Sequence, residues 1–194
     1  MTPMIWTRWC LIPAATLVLI APFLAGCGLW RGGKSSSTAN SPSIVAASDG
    51  KSTLRIPASW STLEVGSGVE NAVLEVGNRK ELVFLLVITR SKMDYGENVT
   101  YRDRAQKAIE SMKEKLDDPK TLRGPVELVI NGRSAIQYEF SGTLRSEQLR
   151  VHYIHTTVDG AADFHQLMAW STPSRIEQHR SNIQDVTRSF AEVR

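Results

Sequence analysis

The chain has 194 residues, of which 42% are apolar and 22% charged, and it contains two cysteines. This size argues against a multidomain enzyme, and so few cysteines exclude a disulfide-stapled mini-protein. The formal net charge is +3, yet Arg8 is the only charged side chain among the first 30 residues, so the N-terminus is a separate physical object.

Residues 1–8 supply the Met1 amine and Arg8, and an uncharged run from Trp9 to Phe23 follows through Leu11, Ile12, Leu17, Val18, Leu19 and Ile20. These are the n-region and h-region of a secretory signal. The run stops at Leu24-Ala25-Gly26-Cys27, which resembles a bacterial lipobox. Small residues ahead of the cysteine let the backbone enter a peptidase cleft, and the thiol is the nucleophile that takes a diacylglycerol. Residues 1–26 are therefore expected to be a lipoprotein signal peptide and Cys27 the lipidated first residue of the mature protein. The 22 uncharged residues from Trp9 to Trp30 also reach the length of a membrane span, but Pro13, Pro22 and the Ala-Gly-Cys-Gly run weaken that reading. The expected location is extracytoplasmic, anchored to a bacterial membrane through Cys27. Gly28 stands where lipoprotein sorting would place an inner-membrane retention aspartate, which favours the periplasmic face of the outer membrane in a diderm host.

Removal of residues 1–26, which hold one arginine and no acid, leaves 168 residues at net charge +2. That balance predicts no nucleic-acid partner. With Cys10 lost and Cys27 acylated, no thiol remains for redox chemistry or a disulfide.

From residue 27 to about 50 the chain is rich in Gly, Ser, Thr, Ala and Asn and has no apolar period, the composition of a flexible tether. Gly28-Leu29-Trp30-Arg31-Gly32-Gly33-Lys34-Ser35 satisfies the phosphate-loop pattern letter for letter. That motif works only between a buried strand and a helix. Here a lipidation cysteine precedes it and a Ser/Thr-rich coil follows, so nucleotide binding is rejected.

Residues 51–194 have the size of one domain. Ser52 to Ile56 is short and β-like and ends at Pro57-Ala58-Ser59-Trp60. Val69 to Val76 reads as a strand, and Glu81 to Arg90 contains the continuous apolar run Leu82 to Ile88, expected as a central strand covered on both faces. Between Asn98 and Leu116, Tyr101, Ala105, Ala108, Ile109, Met112 and Leu116 form one helical stripe, with Thr100 and Asp103 as its cap. Asp117-Asp118-Pro119 is expected to end that helix.

Val126 to Ile130 and Ser134 to Phe140 flank Asn131-Gly132, a type I′ hairpin signal because both central residues tolerate φ > 0. Leu149 to Val158 and Asp163 to Ser171 flank Asp159-Gly160 and make a second hairpin. The last element opens at Ser171-Thr172-Pro173 as a helix, with Ser174 and Glu177 as a candidate capping box and Ile176, Ile183, Val186, Phe190 and Val193 as its stripe. The sum is an α+β fold, an antiparallel sheet of about six or seven strands flanked by two helices.

The opening Leu54-Arg55-Ile56-Pro57-Ala58-Ser59-Trp60, the midchain helix, the Ile130-Asn131-Gly132-Arg133-Ser134-Ala135 hairpin and the closing helix with Ser189-Phe190 together resemble the PsbP-like superfamily, including its DcrB-like lipoproteins. The resemblance covers residues 51–194. It implies a PsbP-like sandwich, accessory or assembly roles beside membrane complexes, and no universal active site. Trp60, Gly132 and Phe190 are positions similar to the family's, implying a core plug, a φ > 0 turn and a helix-to-sheet contact.

The histidines are His152, His155, His165 and His179. If the second hairpin turns on Asp159-Gly160-Ala161, His155 stands opposite His165, and such a pair could hold a divalent metal with Asp163 nearby. A shorter loop would break that pairing. Zinc asks for three or four ligands, so the site expectation remains no metal, with His155 and His165 as the candidates to watch. Neither a G-x-S-x-G elbow nor an H-E-x-x-H motif occurs, so no catalytic residue is assigned. Cations on the two helices are interleaved with acids, the pattern of a solvated face. The expected function is a lipid-anchored extracytoplasmic accessory protein without catalysis or cofactor, docking onto an envelope or membrane-complex partner. The alternative is a small-ligand or metal-binding envelope lipoprotein, and a hydrolase ranks third.

Overall fold

The structure, a computed structural model, describes residues 41–65 and 69–193. Cys27, the signal segment and the phosphate-loop-like stretch lie outside the described residues. The apolar run after Leu82 becomes β5 (Val83–Ser91), in which Val83, Leu85 and Val87 are wholly buried and Leu86 nearly so. Burial of successive residues requires cover on both faces, and β5 has it. It lies inside a seven-stranded antiparallel sheet built with β3 (Ser61–Leu63), β4 (Ala72–Asn78), β6 (Leu116–Ile130), β7 (Arg133–Leu144), β8 (Leu149–Asp159) and β9 (Asp163–Ser171), in the order β3-β4-β5-β9-β8-β7-β6. A smaller sheet carries β1 (Ser43–Ala46), β2 (Ser52–Ile56) and β10 (Ala191–Glu192) in the order β1-β2-β10.

One helix covers each face of the large sheet. Helix α1 (Tyr101–Lys113) starts in a capping box: Thr100 N–H donates to Asp103 Oδ2 at 2.8 Å, and Asp103 N–H donates to Thr100 Oγ1 at 3.3 Å. Its Tyr101, Ala105 and Ile109 pack on Ile136, Phe140, Val151, Tyr153 and Phe164 of the sheet. Helix α2 (Pro173–Arg188) opens with proline at its first position. Its Ile176, Ile183 and Val186 join Phe190, the β2 residues Leu54 and Ile56, and Leu85, Val87, Ile154, Val158 and Leu167 in the main core. The alternation of β8, Ile154 and Val158 to α2 and Val151 and Tyr153 to α1, follows from the two-residue period of a strand.

Several expectations shift. Strand β1 lies inside the stretch 27–50 read as tether, because its pairing with β2 (Ile44 opposite Arg55, Val45 opposite Leu54) is a non-local interaction without a local pattern. Helix α1 ends at Lys113, and Asp117-Asp118-Pro119 belongs to β6. That edge strand accommodates its turn-forming residues through register irregularities between Asp117 and Val126. In α2 the Ser174–Glu177 box does not form: Thr172 is the N-cap without a side-chain bond, and Arg180 takes the Glu177 carboxylate at 2.6 and 3.1 Å. Val193 is not on the helical stripe, since α2 stops at Arg188 and Val193 is 53% exposed.

Asn131 and Gly132 both adopt positive φ, 47° and 79°, between β6 and β7. Trp60 is buried in the main core. Phe190, 1% exposed, turns into that core just beyond α2, and Asn131 Nδ2 donates to its carbonyl at 2.6 Å. Truncating Phe190→Ala should therefore cost about 3–5 kcal/mol in urea unfolding; a loss below about 0.5 kcal/mol would place the residue outside the core.

Candidate functional site

The β8–β9 hairpin decides where the histidines go. Residues 160–162 connect the strands, and the register pairs Asp159 with Phe164, Val158 with His165 and His155 with Met168. This is three residues away from the register that sets His155 opposite His165. An odd shift reverses the faces, so His165 looks toward the α2 side and His155 toward α1. The expected histidine pair does not form.

His165 is fully buried, its ring centroid 4.9 Å from that of Phe190. Its Nδ1 lies 3.1 Å from Thr89 Oγ1 and its Nε2 3.2 Å from Glu192 Oε1. Glu192 also accepts from the Ala161 backbone N–H at 2.9 Å and pairs with Arg133 at 2.6 Å. Burial pushes the Glu192 carboxyl up, but the Ala161 N–H, His165 and Arg133 outweigh it and hold it below its ordinary value. Gly160 makes room for this contact, because a Cβ there would collide with the Glu192 carboxylate and lie 2.8 Å from His165 Nε2. Asp163, the third ligand the sequence suggested, instead pairs with Lys51 at 3.0 Å.

A second polar centre lies under α2. Glu139 of β7 and His152 of β8 are both buried, with His152 Nε2 3.3 Å from Glu139 Oε2. Arg180 of α2 reaches Glu139 Oε1 at 2.8 Å. The His152 hydrogen bond is the largest influence on Glu139; burial opposes it, Arg180 adds to it, and the carboxyl is held down to about 2. Immediately before Arg180 on α2, His179 Nε2 lies 3.7 Å from Glu81, whose main partner is Arg175 at 2.7 Å. Ser141 and Ser171 stand in register on either side of His152. The Ser171 hydroxyl donates to the Leu82 carbonyl at 2.6 Å, so it is not hydrogen-bonded to the imidazole as a nucleophile would be.

His155 is 1% exposed, and neither ring nitrogen has a hydrogen-bond partner among the described residues. Burial lowers it to about 4, with Gln166 a smaller opposing influence, so it is neutral in the fold. Thr157 Oγ1, on the same face of β8, is also unpartnered. Among the described residues no three His, Cys, Asp or Glu side chains converge as a metal site. A groove of about 440 Å³ runs between β2 and the C-terminal half of α2, with Arg55 and Arg188 on its walls.

Sequence reasoning missed Glu139, Arg180 and Glu192. Glu139 did leave a signal: with Ala135 facing the main core, the two-residue period carries Gln137 and Glu139 to the same side, and an acid on a core-facing position must be paired. Glu192 left none, since its partners come from two distant segments, the β8–β9 hairpin and the start of β7.

Two pH dependences follow. Glu139 holds its charge down to about pH 2 in the fold and only to about 4.5 when unfolded. Its contribution is complete above about pH 4.5 and lost as the pH falls toward 2, so Glu139→Gln should destabilise the neutral protein by about 3 kcal/mol, with the deficit shrinking in urea melts below about pH 4.5. For His155 the unfolded chain takes a proton below about pH 6.5 and the fold resists until about 4, so stability falls as the pH falls through that window. His155→Leu should be neutral or stabilising at pH 7.5 and should remove an acid-side loss of up to about 3 kcal/mol between pH 6.5 and 4.

No protein-family model matches the chain, and no curated protein sequence is detectably similar to it. Solved structures do match in fold. The cyanobacterial PsbP (CyanoP) of Synechocystis sp. PCC 6803 superposes with a TM-score of 0.62 at 13% identity, covering 88% of this chain and 99% of that one. LpqN of Mycobacterium tuberculosis, a protein involved in cell envelope biogenesis, gives a TM-score of 0.55 at 14% identity over 82% of this chain and 88% of its own. The arrangement of two helices on an antiparallel sheet is thus an α+β fold of the PsbP-like kind.

Proposed function

We propose that this protein is a lipid-anchored extracytoplasmic accessory protein that docks onto an envelope or membrane-complex partner and performs no catalysis. The observation that carries this reading is the likeness to CyanoP over nearly the whole of both chains. The likeness to LpqN, a protein involved in cell envelope biogenesis, supports the same setting. Among the described residues no helix is long and apolar enough to cross a membrane; the proposed attachment is through the lipobox-like Leu24-Ala25-Gly26-Cys27. The buried and half-buried ionic groups support a non-catalytic reading, because Glu139, His152, Arg180, His165 and Glu192 are spent joining β7, β8, β9, β10 and α2 to one another.

In-cell crosslinking of the intact lipoprotein should recover a specific envelope protein. Cys27→Ser should abolish incorporation of a labelled fatty acid and leave an unprocessed precursor; labelling that survives the change would end the lipoprotein reading. The purified full chain should bind Zn²⁺ no more tightly than about 10 μM. Turnover on ester, peptide, phosphate or glycan substrates that disappears with one point substitution would replace the accessory reading with an enzymatic one.

A further inference from the structure

The small sheet has an inner and an outer face. Leu54 and Ile56 point into the core, so the alternating positions point outward: Ile44 opposite Arg55, and Ala46, Thr53 and Ala191 in one cross-strand row. Val193 continues β10, its N–H donating to the Lys51 carbonyl at 2.9 Å. Ile44 is 74% and Val193 53% exposed, so two aliphatic side chains stand in solvent on one open sheet face. Beside them lies the groove between β2 and α2, walled by Arg55 and Arg188. Neither arginine has an ion pair among the described residues, and Asp185 is the one carboxylate on the lining.

This face is also where the chain enters the fold. Pro42 lines the groove and Ser43 opens β1. If Cys27 carries the lipid, Ser43 stands 16 positions after it in the sequence, so the anchor lies within about 58 Å of Ser43 at the chain's greatest possible reach. A surface surrounding the root of so short a tether meets the membrane at high effective concentration. Exposed aliphatic side chains beside unpaired arginines suit that encounter, the former entering the interface and the latter meeting anionic headgroups.

We infer that the outer face of the β1-β2-β10 sheet, with Ile44, Val193, Arg55 and Arg188, is a membrane-contact surface that lies on an anionic bilayer. The inference rests on the lipid-anchor reading and adds an orientation to it: partner-binding surfaces are those turned away from the small sheet.

The test uses the full-length lipoprotein in vesicles containing brominated lipid, with an environment-sensitive fluorophore placed by Ile44→Cys, Val193→Cys, Leu82→Cys or Leu149→Cys in separate samples. Leu82 and Leu149 are exposed at the opposite ends of the central strands. Vesicles of phosphatidylcholine alone are compared with vesicles that also contain phosphatidylglycerol. Quenching is expected at 44 and 193, stronger with phosphatidylglycerol, absent at 82 and 149, and lost when Arg55→Glu and Arg188→Glu are combined. A protein that stays on the vesicles with an unquenched label at 44, or with equal quenching at all four positions, overturns this inference alone. A Cys27-intact chain that leaves the vesicles overturns the anchor and this inference with it. Burial of position 44 in cells but not in vesicles would assign the face to a protein partner, which also overturns it.

Discussion

The register between β8 and β9 is the constraint on which the placement of the polar groups depends. Strand side chains alternate with a period of two, so any odd change in that register exchanges the residues facing α1 for those facing α2. With Val158 opposite His165, the aliphatic Ile154, Val158 and Leu167 reach the α2 core, while Tyr153, His155 and Met168 turn to α1. The tip that sets this register is closed by Glu192, whose carboxylate takes the Ala161 N–H that the turn leaves free. Gly160 is required there because a side chain would occupy the position of that carboxylate.

From that register follows a division of labour between the faces. The α2 face carries acids at or near the core, and among the described residues they are paired: buried Glu139 with His152 and Arg180, buried Asp163 with Lys51, and half-buried Glu192 with His165 and Arg133. Removing one member would strand its partner in a low-dielectric interior, which makes such pairs costly to break even where their net contribution to stability is small. The Glu139 and Glu192 groups join the C-terminal third of the chain to the sheet at two separate points. The α1 face instead holds a neutral His155 whose ring nitrogens have no hydrogen-bond partner among the described residues, one of the places where the packing tolerates a cost.

What the sequence made legible was local. The Thr100–Asp103 cap, the Asn131-Gly132 turn and the apolar run of β5 each carry their own structural instruction within a few residues, and each element formed near its expected position. What it hid was pairing between distant segments. Strand β1 has no alternation strong enough to separate it from a Ser-rich linker and exists because β2 offers an edge. Strand β6 contains Asp117-Asp118-Pro119 and Gly124-Pro125, which read as turns, and it is held by β7 through an irregular ladder. The histidine pairing failed for the same reason, since Asp159-Gly160-Ala161-Ala162 alone does not say which of its residues make the turn, and the register that forms lies three residues from the expected one.

The register is therefore the claim to test first. Backbone NMR on the intact protein would measure cross-strand contacts between β8 and β9 directly. The account predicts amide and α-proton contacts linking Val158 with His165 and His155 with Met168. Contacts linking His155 with His165 would contradict it, return both imidazoles to one face and reopen the metal-binding reading.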